Sequence, residues 1–412
     1  MKRIVILGAG FGGLYTARHL QKRLRPQEAE VLLIDRHNFH LFTPMLHEVT
    51  SGSIEPRHVV WPVRLLSRRW RLTFLERWVE GIDLDGRRVL TDRGTVPYDL
   101  LILALGSVTN FYGLESPPQV FQFKELKDAV RLRNHLIECF ERTEQEPDPG
   151  RQRTLLTFIL AGGGCTGVEL AAEIHDFIFQ SLLHYYPRIT ADEVRILLLE
   201  ATRRIIPCVG ESLAALALEK LRQKRVEVKL QTPVAELLPD GVVLANGEKI
   251  RGETVIWTAG VRANPVIENL PIAKDRLGRV MVNEYLELPS HPRVYAIGDC
   301  AHCVDPSTGQ PLPPTAQVAV QQGAALAKNL ARRLTGEKPL PFRYHHQGDL
   351  VSLGSRYGVA EVRNLRFSGF AAWLLWRTVF LSKMIGIKNR LRVAVDWAIS
   401  LFFGRDTSRL EW

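Results

Sequence analysis

Two glycine-rich loops lie far apart on one chain, each placed between a strand and a helix. The first is Gly8-Ala9-Gly10-Phe11-Gly12-Gly13 and the second is Gly162-Gly163-Gly164-Cys165-Thr166-Gly167. A single Gly-x-Gly-x-x-Gly occurs by chance; a loop that follows a buried strand and opens a helix does so for a reason. Its backbone N–H groups and the helix dipole then face a pyrophosphate. Two such loops suggest two nucleotide cofactors held face to face, which is what moving electrons from one to the other requires.

The local pattern supports this setting. Arg3–Leu7 is apolar and β-branched, and reads as a buried strand. Leu14–Leu24 reads as a helix and Ala29–Ile34 as a second strand, closed by Asp35, 22 residues after Gly13. The same unit recurs as Leu155–Leu160, a helix from Gly167, and Val194–Leu199 closed by Glu200. A longer helical insertion, His175–Asp192, separates its parts. Leu100–Ser107 reads as a further buried strand that runs into Ala104-Leu105-Gly106, and its parallel partner is Val255–Val261 with Ala259-Gly260. Each follows a charged β-meander, 73–98 and 226–253. Pro147-Asp148-Pro149-Gly150 marks a boundary before the second unit, and Pro339 and Pro341 mark one before a C-terminal region of different character.

Each loop residue has a physical job. Gly8 permits the tight turn, Gly10 lets phosphates approach, and Gly13 lets helix and strand pack closely; Gly162, Gly164 and Gly167 repeat the pattern. Asp35 and Glu200 are placed to accept hydrogen bonds from a ribose hydroxyl pair. At the second loop the Glu200 carboxylate favours a free 2′-hydroxyl, hence NADH over NADPH. Arg203 and Arg204 follow and read as solvated charges rather than a phosphate clamp.

With 412 residues the chain is long enough for two or three domains, and 46% apolar with 24% charged residues is ordinary for a globular protein. The net charge of +10 suits nucleic acid, an anionic membrane or anionic cofactors equally. Trp61, Trp70 and Trp78 lie among arginines in 61–93, but without an RNA-binding signature the segment reads as charged surface, and no nucleic-acid partner is expected. The chain has five cysteines, an odd number, and a strand almost at its start, which argue against a secreted disulfide framework. No metal site is expected: Cys300 and Cys303 have only His302 nearby. No apolar run of about 18 residues appears, so no transmembrane helix is expected.

Val294-Tyr295-Ala296-Ile297-Gly298-Asp299-Cys300 reads as a strand ending in Gly-Asp. With the N-terminal glycine loop it resembles the two-dinucleotide flavoprotein family. In that family the first loop binds FAD, the Gly-Asp contacts the flavin's sugar-alcohol chain and pyrophosphate, and the second loop binds NAD(P)H. The segments His37–Val49, Thr166–Glu173, Thr315–Gln322 and Trp373–Lys383 are similar to a type II NADH dehydrogenase. Members are single-subunit, non-pumping NADH:quinone oxidoreductases bound to one membrane face.

The resemblance implies an α/β fold of two Rossmann-like dinucleotide-binding domains, one inserted in the other, plus a C-terminal membrane-associating helical region. It implies an FAD-binding domain in 1–120 and 256–338, an NAD(H)-binding domain in 121–255, and the membrane-associating region in 339–412. The implied FAD contacts, all non-covalent, are Gly8, Gly10, Phe11, Gly12, Gly13, Asp35, Arg36, Pro44, Ala104, Gly106, Gly298, Asp299, Ala316 and Gln317. The implied NADH contacts are Gly162, Gly164, Thr166, Gly167, Glu200, Ala259 and Gly260. Glu169 is implied beside nicotinamide and flavin. Gln317 and Gln321, spaced i, i+4, would present amide donors to a quinone carbonyl.

The implied activity takes a hydride from NADH to flavin and two electrons on to a membrane quinone of a respiratory chain. Its place is the cytoplasmic face of the plasma (inner) membrane, and a homodimer is compatible with it. Two alternatives stand beside it: a sulfide:quinone oxidoreductase using Cys165, a thiol with no evident partner in sequence, and a non-catalytic NADH-binding flavoprotein. No cysteine pair follows the first βαβ unit in Phe39–Thr50, which counts against a disulfide reductase.

The tail carries its own pattern. Asn389, Arg392, Asp396 and Ser400 fall on one helical face, and Val393, Val395, Trp397, Ile399, Leu401, Phe402 and Phe403 make up the rest. A preceding helix, 371–387, carries Trp373, Leu374, Leu375, Trp376, Phe380 and Leu381. Lys383, Lys388, Arg390, Arg405 and Arg409 flank the pair, a composition that suits an anionic interface as well as a core cover.

Overall fold

A computed structural model describes residues 1–409 except 26, 71 and 364. Residues 410–412 of the expected C-terminal region, and residue 71 of the Trp/Arg-rich segment, lie outside the described residues. The chain divides into two compact units. The first comprises Met1–His40, Trp61–Val108 and Val261–His346; the second comprises Leu41–Val60, Thr109–Gly260 and Gln347–Trp412.

The first unit is built on a six-stranded sheet. Its order is Glu287–Leu288, His291–Ala296, Leu100–Leu103, Lys2–Leu7, Ala29–Asp35, Thr73–Glu76. All pairings are parallel except that of the first two strands. Strands buried on both faces need near-continuous apolar runs, and Ile4–Leu7, Leu101–Leu103 and Leu33–Ile34 are almost wholly buried. The meander Val79–Asp83, Arg88–Thr91 and Gly94–Pro97 forms a separate antiparallel sheet. It contributes Val89 and Val96 to the same core as Val5, Leu7, Leu32 and Leu103.

The second unit repeats the plan. Its parallel sheet runs Phe121–Gln122, Thr254–Trp257, Thr157–Ala161, Arg195–Leu199, Val226–Lys229. A second meander, Val234–Leu238, Gly241–Leu244 and Lys249–Arg251, packs Leu237 and Val242 against Ile159, Leu197 and Trp257. The bodies of the strands expected at 100–107 and 255–261, Leu100–Leu103 and Thr254–Trp257, therefore lie in different sheets, and the two segments pair only at their ends, where Ser107–Thr109 meets Val261–Ala263. Each is the counterpart of the other in its own sheet, because each pairs with the strand that leads into its own glycine loop.

The helices start earlier than their apolar periodicity indicates. They span Phe11–Gln21 and Cys165–Gln180, so the last glycines of each loop already lie in the first turn. Pro147–Gly150 is the junction between the helices Leu126–Gln145 and Pro149–Leu155, the second capped by Asp148. After residue 347 an antiparallel sheet, Asp349–Ser352, Gly358–Val362 and Leu365–Gly369, precedes the helices Phe370–Lys383 and Ile387–Phe402.

Candidate functional site: two nucleotide loops and an acidic helix

The two glycine loops have the same internal geometry. A Cβ on Gly13 would stand 1.9 Å from the carbonyl oxygen of Gly8, and one on Gly167 would stand 1.9 Å from that of Gly162. No side chain survives such a contact, so helix and strand approach as closely as they do only with glycine there. A Cβ on Gly10 or Gly164, the residues that precede the helices, would meet nothing within 4 Å. Each helix N-terminus thus opens on clear space lined by main-chain N–H groups, a shape and charge that fit a diphosphate.

The acids that close the second strands turn back onto these loops. Asp35 Oδ2 accepts the Ala9 N–H at 2.6 Å and Oδ1 accepts the His37 N–H at 2.8 Å. Glu200 Oε2 accepts the Gly163 N–H at 2.6 Å and Oε1 accepts the Thr202 N–H at 2.7 Å. Ala9 and Gly163 hold the same position in their loops, so this is one device used twice. Each carboxylate keeps further lone pairs for ribose hydroxyls. Burial raises the Asp35 carboxyl, and the two N–H groups oppose that rise.

Around the first loop, His40 is buried with Nδ1 bonded to the Ala9 carbonyl oxygen at 2.9 Å, and its ring meets Phe11 edge-on. Its Nε2 has no protein partner, an orphaned polar atom that fits a bound polar group. Burial lowers the His40 pKa to about 4, so the ring is neutral. Gly12 packs against Ile297. Ala104 N–H donates to Leu7 O, and Gly106 O accepts from the Cys300 thiol at 3.3 Å. Asp299 accepts from the Ser107 hydroxyl. Arg36 stacks over Trp78 at 5.0 Å. Cys300 and Cys303 are both buried.

Gly298 reveals a residue that sequence reasoning missed. Its N–H donates at 2.7 Å to Oε1 of Gln322, which is buried on the helix Ala316–Leu334. Gln317 and Gln321 lie on that same helix. Gln317 Oε1 accepts the Tyr344 hydroxyl at 2.9 Å. Both ends of the Gln321 amide bond the main chain of His345: Nε2 donates to its carbonyl at 2.8 Å, and Oε1 accepts its N–H at 3.0 Å.

In the second unit Ala259 lies against Gly162, and Gly260 O accepts the Asn110 N–H at 3.0 Å. Thr166 is exposed in the first helical turn, and Pro44 also belongs to this unit. Arg204 donates to the Pro207 carbonyl at 3.0 Å, while Arg203 is exposed. Cys165 does have a partner: its Sγ lies 2.9 Å from that of Cys208.

The helix that opens at the second loop carries Glu169, Glu173 and Asp176 at i, i+4, i+7, one acidic face on which Glu173 and Asp176 are buried and Glu169 is largely so. The C-terminal region supplies most of their partners. Glu169 Oε1 accepts the Ser352 N–H at 3.0 Å and the Trp376 indole N–H at 3.2 Å. Glu173 pairs with Arg405 at 2.8 Å. Asp176 accepts the Ser355 N–H at 2.5 Å and a bond from Lys224. His47 Nδ1 stands 3.8 Å from Glu169 Oε2. Glu48 accepts the Trp397 indole N–H at 2.8 Å and lies 3.5 Å from Arg377, whose guanidinium sits between Trp373 and Trp397. Burial pushes the Glu169 carboxyl up to about 8 and Glu48 up to about 7, and lowers the His47 ring to about 4. Glu169 is therefore a protonated acid near neutrality. The spacing of the three acids was a readable signal; their partners, mostly over 170 residues away, were not.

The last helix turns its polar residues inward. Asn389 donates to the Val60 carbonyl at 2.6 Å, and Asp396 bonds His58 at 2.6 Å. Arg392, expected on the same face, is exposed. Val393 and Trp397 are buried, whereas Leu391, Val395, Ile399 and Phe402 are 51–82% exposed. The basic flank is partly engaged within the protein: Arg390 bonds the Ser382 and Met384 carbonyls, Arg405 bonds Glu173, and Lys383 donates to Gln347. Lys388 is exposed. No helix of the described residues is long and apolar enough to cross a membrane.

Two glycine-loop units of this kind, each with its acid bonded back to the loop, define the two-dinucleotide flavoprotein fold. Residues 2–323 match the family described as pyridine nucleotide-disulphide oxidoreductase, and 346–406 match the NDH2 C-terminal domain. A probable NADH dehydrogenase of Dictyostelium discoideum is 31% identical over 99% of this chain and 91% of its own. A type II NADH:quinone oxidoreductase of Staphylococcus aureus is 32% identical over 95% and 96%. The structure of NDH2 from Plasmodium falciparum superposes with a TM-score of 0.90 over 99% of both chains, at 19% identity, a likeness of fold. The chain belongs to the type II NADH:quinone oxidoreductases within the pyridine nucleotide-disulphide oxidoreductase family.

Proposed function

We propose that this chain is an FAD-dependent NADH:quinone oxidoreductase that does not pump protons. The observation that carries this reading is that the family likeness runs through both glycine loops and on through the C-terminal region, which covers Glu169. FAD, when bound, supplies the two-electron chemistry, accepting hydride from NADH and passing electrons to quinone. The first unit would hold FAD through the Gly8–Gly13 loop, Asp35, Arg36, Ala104, Gly106, Gly298, Asp299, Ala316 and Gln317; Pro44 is a further proposed FAD contact. The second would hold NADH through Gly162, Gly164, Thr166, Gly167, Glu200, Ala259 and Gly260.

Glu169 would act as a proton donor, because burial keeps it protonated at pH 7. Gln317 would donate its amide N–H to a quinone carbonyl. Gln321 would act as a positioning residue, since its amide is bonded at both ends to His345. The outward apolar face of the last two helices would lie in the cytoplasmic surface of the plasma (inner) membrane, where a lipid-soluble quinone is delivered. A homodimer is the other way to cover that face, and would show as a doubled mass in light scattering.

The sulfide:quinone reading is not favoured. The solved enzyme of that class from Aquifex aeolicus shares the fold at a TM-score of 0.75 but only 16% identity, while the relatives above 30% identity are named NADH dehydrogenase or type II NADH:quinone oxidoreductase. The deciding experiment is anaerobic. NADH should bleach the yellow protein, and a short-chain quinone should restore the colour over many cycles. Bleaching by sulfide but not NADH would overturn the reading, and turnover excludes a non-catalytic flavoprotein.

A further inference from the structure

Cys165 and Cys208 meet beside the second glycine loop with their sulfurs 2.9 Å apart, both as free thiols. Cys165 is the first residue of the helix Cys165–Gln180. Cys208 is exposed in the loop between the strand Arg195–Leu199 and the helix Glu211–Gln223. Main-chain bonds fix that loop independently of the thiols: the Ile206 N–H donates to Gly163 O at 2.7 Å, and the Gly163 N–H donates to Glu200. The pair is thus placed by the βαβ crossing itself. Disulfide bonding requires the sulfurs to close by only about 1 Å.

The two thiols are chemically unequal. The hydrogen bond from Cys165, helped by the Val209 N–H, holds Cys208 below the ordinary thiol range. The contact with Cys208, together with burial and the nearby Glu169 and Asp349, pushes Cys165 well up. The exposed sulfur is therefore the better nucleophile toward solvent, with a neutral thiol waiting behind it.

We propose that Cys165 and Cys208 are an oxidation site: hydrogen peroxide converts them to a disulfide, and this cross-link weakens NADH binding at the second glycine loop. The Cys208 thiolate attacks one peroxide oxygen, the O–O bond breaks, and hydroxide leaves as water after taking a proton. The Cys165 sulfur then attacks the sulfenic sulfur of Cys208, the S–S bond forms, the S–O bond breaks, and a second water leaves. Two thiols and one peroxide give one disulfide and two waters, with both electrons passing from sulfur to peroxide. A dithiol reductant reverses the change.

The cross-link draws the 200–209 loop onto the first helical N–H groups, where the pyrophosphate of NADH is proposed to sit. This second half rests on the proposed function; the disulfide does not.

The test uses the full-length holoprotein, hydrogen peroxide, alkylation and non-reducing peptide mapping. The expected result is loss of two of the five thiols, a linked Cys165–Cys208 peptide, and recovery with dithiothreitol. The KM for NADH should rise at least about five-fold in the oxidised protein, the direction expected for a misplaced anion site. A Cys208→Ser variant should keep its flavin content and basal turnover and lose the peroxide response. Sulfinic acid at Cys208 without a linked peptide would overturn the disulfide. A linked peptide with an unchanged KM would overturn the effect on NADH. A linked peptide in protein that NADH never bleaches would sink the proposed function instead and leave the disulfide standing.

Discussion

Trp376 donates its indole N–H to Glu169 across 3.2 Å, joining residues 207 positions apart. Through this bond the C-terminal region reaches the helix that opens at the second glycine loop. Arg405 does the same at Glu173, one turn further along. The C-terminal region is therefore part of the setting of a buried acid, in addition to any role as an anchor.

Replacing Glu169 by glutamine should slow quinone-linked turnover by about 10² while leaving the KM for NADH within about two-fold. A buried donor that titrates near 8 works below that pH and fails above it. The parent rate should therefore fall as pH rises through about 8, and the variant should lack this limb. Steady-state rates with a water-soluble quinone across pH 6–9 check it (about three pH units spanning that pKa). A variant that keeps the alkaline limb would remove Glu169 from proton delivery.

Glu48 and Glu169 should also make stability fall as pH rises. Both carboxyls are raised by burial, to about 7 and about 8, so the folded state holds protons that the unfolded chain releases near 4.5. Their stabilising effect is complete below the unfolded value and is lost as pH rises through the folded ones. His47 acts oppositely: its ring is held down to about 4, so its contribution fades as pH falls below about 6.5. A Glu48→Gln variant should show a shallower decline of Tm between about pH 5 and 8 by differential scanning fluorimetry. Superimposable Tm curves would contradict this.

Alanine at the close-packed glycines should separate the two nucleotide sites. Gly13→Ala forces a Cβ against Gly8 O and should yield protein with little bound flavin. Gly167→Ala does the same against Gly162 O and should keep its flavin while NADH bleaches it only at concentrations raised by about ten-fold or more. Flavin absorbance and anaerobic titration distinguish them. Loss of flavin from Gly167→Ala, with Gly13→Ala unaffected, would reverse the assignment of the loops.

The exposed apolar face should be dispensable in water and needed at a membrane. Leu391→Glu combined with Ile399→Glu alters two side chains that are more than half exposed, so folding should be little affected. Each apolar side chain buried in lipid contributes about 1.5–3 kcal/mol, so the pair should cut binding to anionic vesicles by at least about 100-fold. Turnover with a water-soluble quinone should stay within about two-fold. Co-sedimentation equal to that of the parent would show that this face does not meet lipid.

Local patterns along the chain were enough to read the parallel strands, their glycine loops and the acids that close them. Each of these rests on local chemistry: apolar runs for strands buried on both faces, glycine where a Cβ has no room, and a carboxylate a fixed distance along the chain. The same patterns left the helix starts late, at Leu14 rather than Phe11 and at Gly167 rather than Cys165, because periodicity registers the apolar face and not the glycines of the first turn. Tertiary structure decided what meets across long separations. It placed Cys208 on Cys165, bound the Gln321 amide to His345, and put Gln322 rather than its neighbours on Gly298. It also turned the last helix so that Asn389 and Asp396 point inward and Leu391, Val395 and Ile399 point outward. Spacing fixes which residues share a helical face. Which face turns inward depends on hydrogen-bond partners such as Val60 O and His58, more than 320 residues away, and no local pattern encodes them.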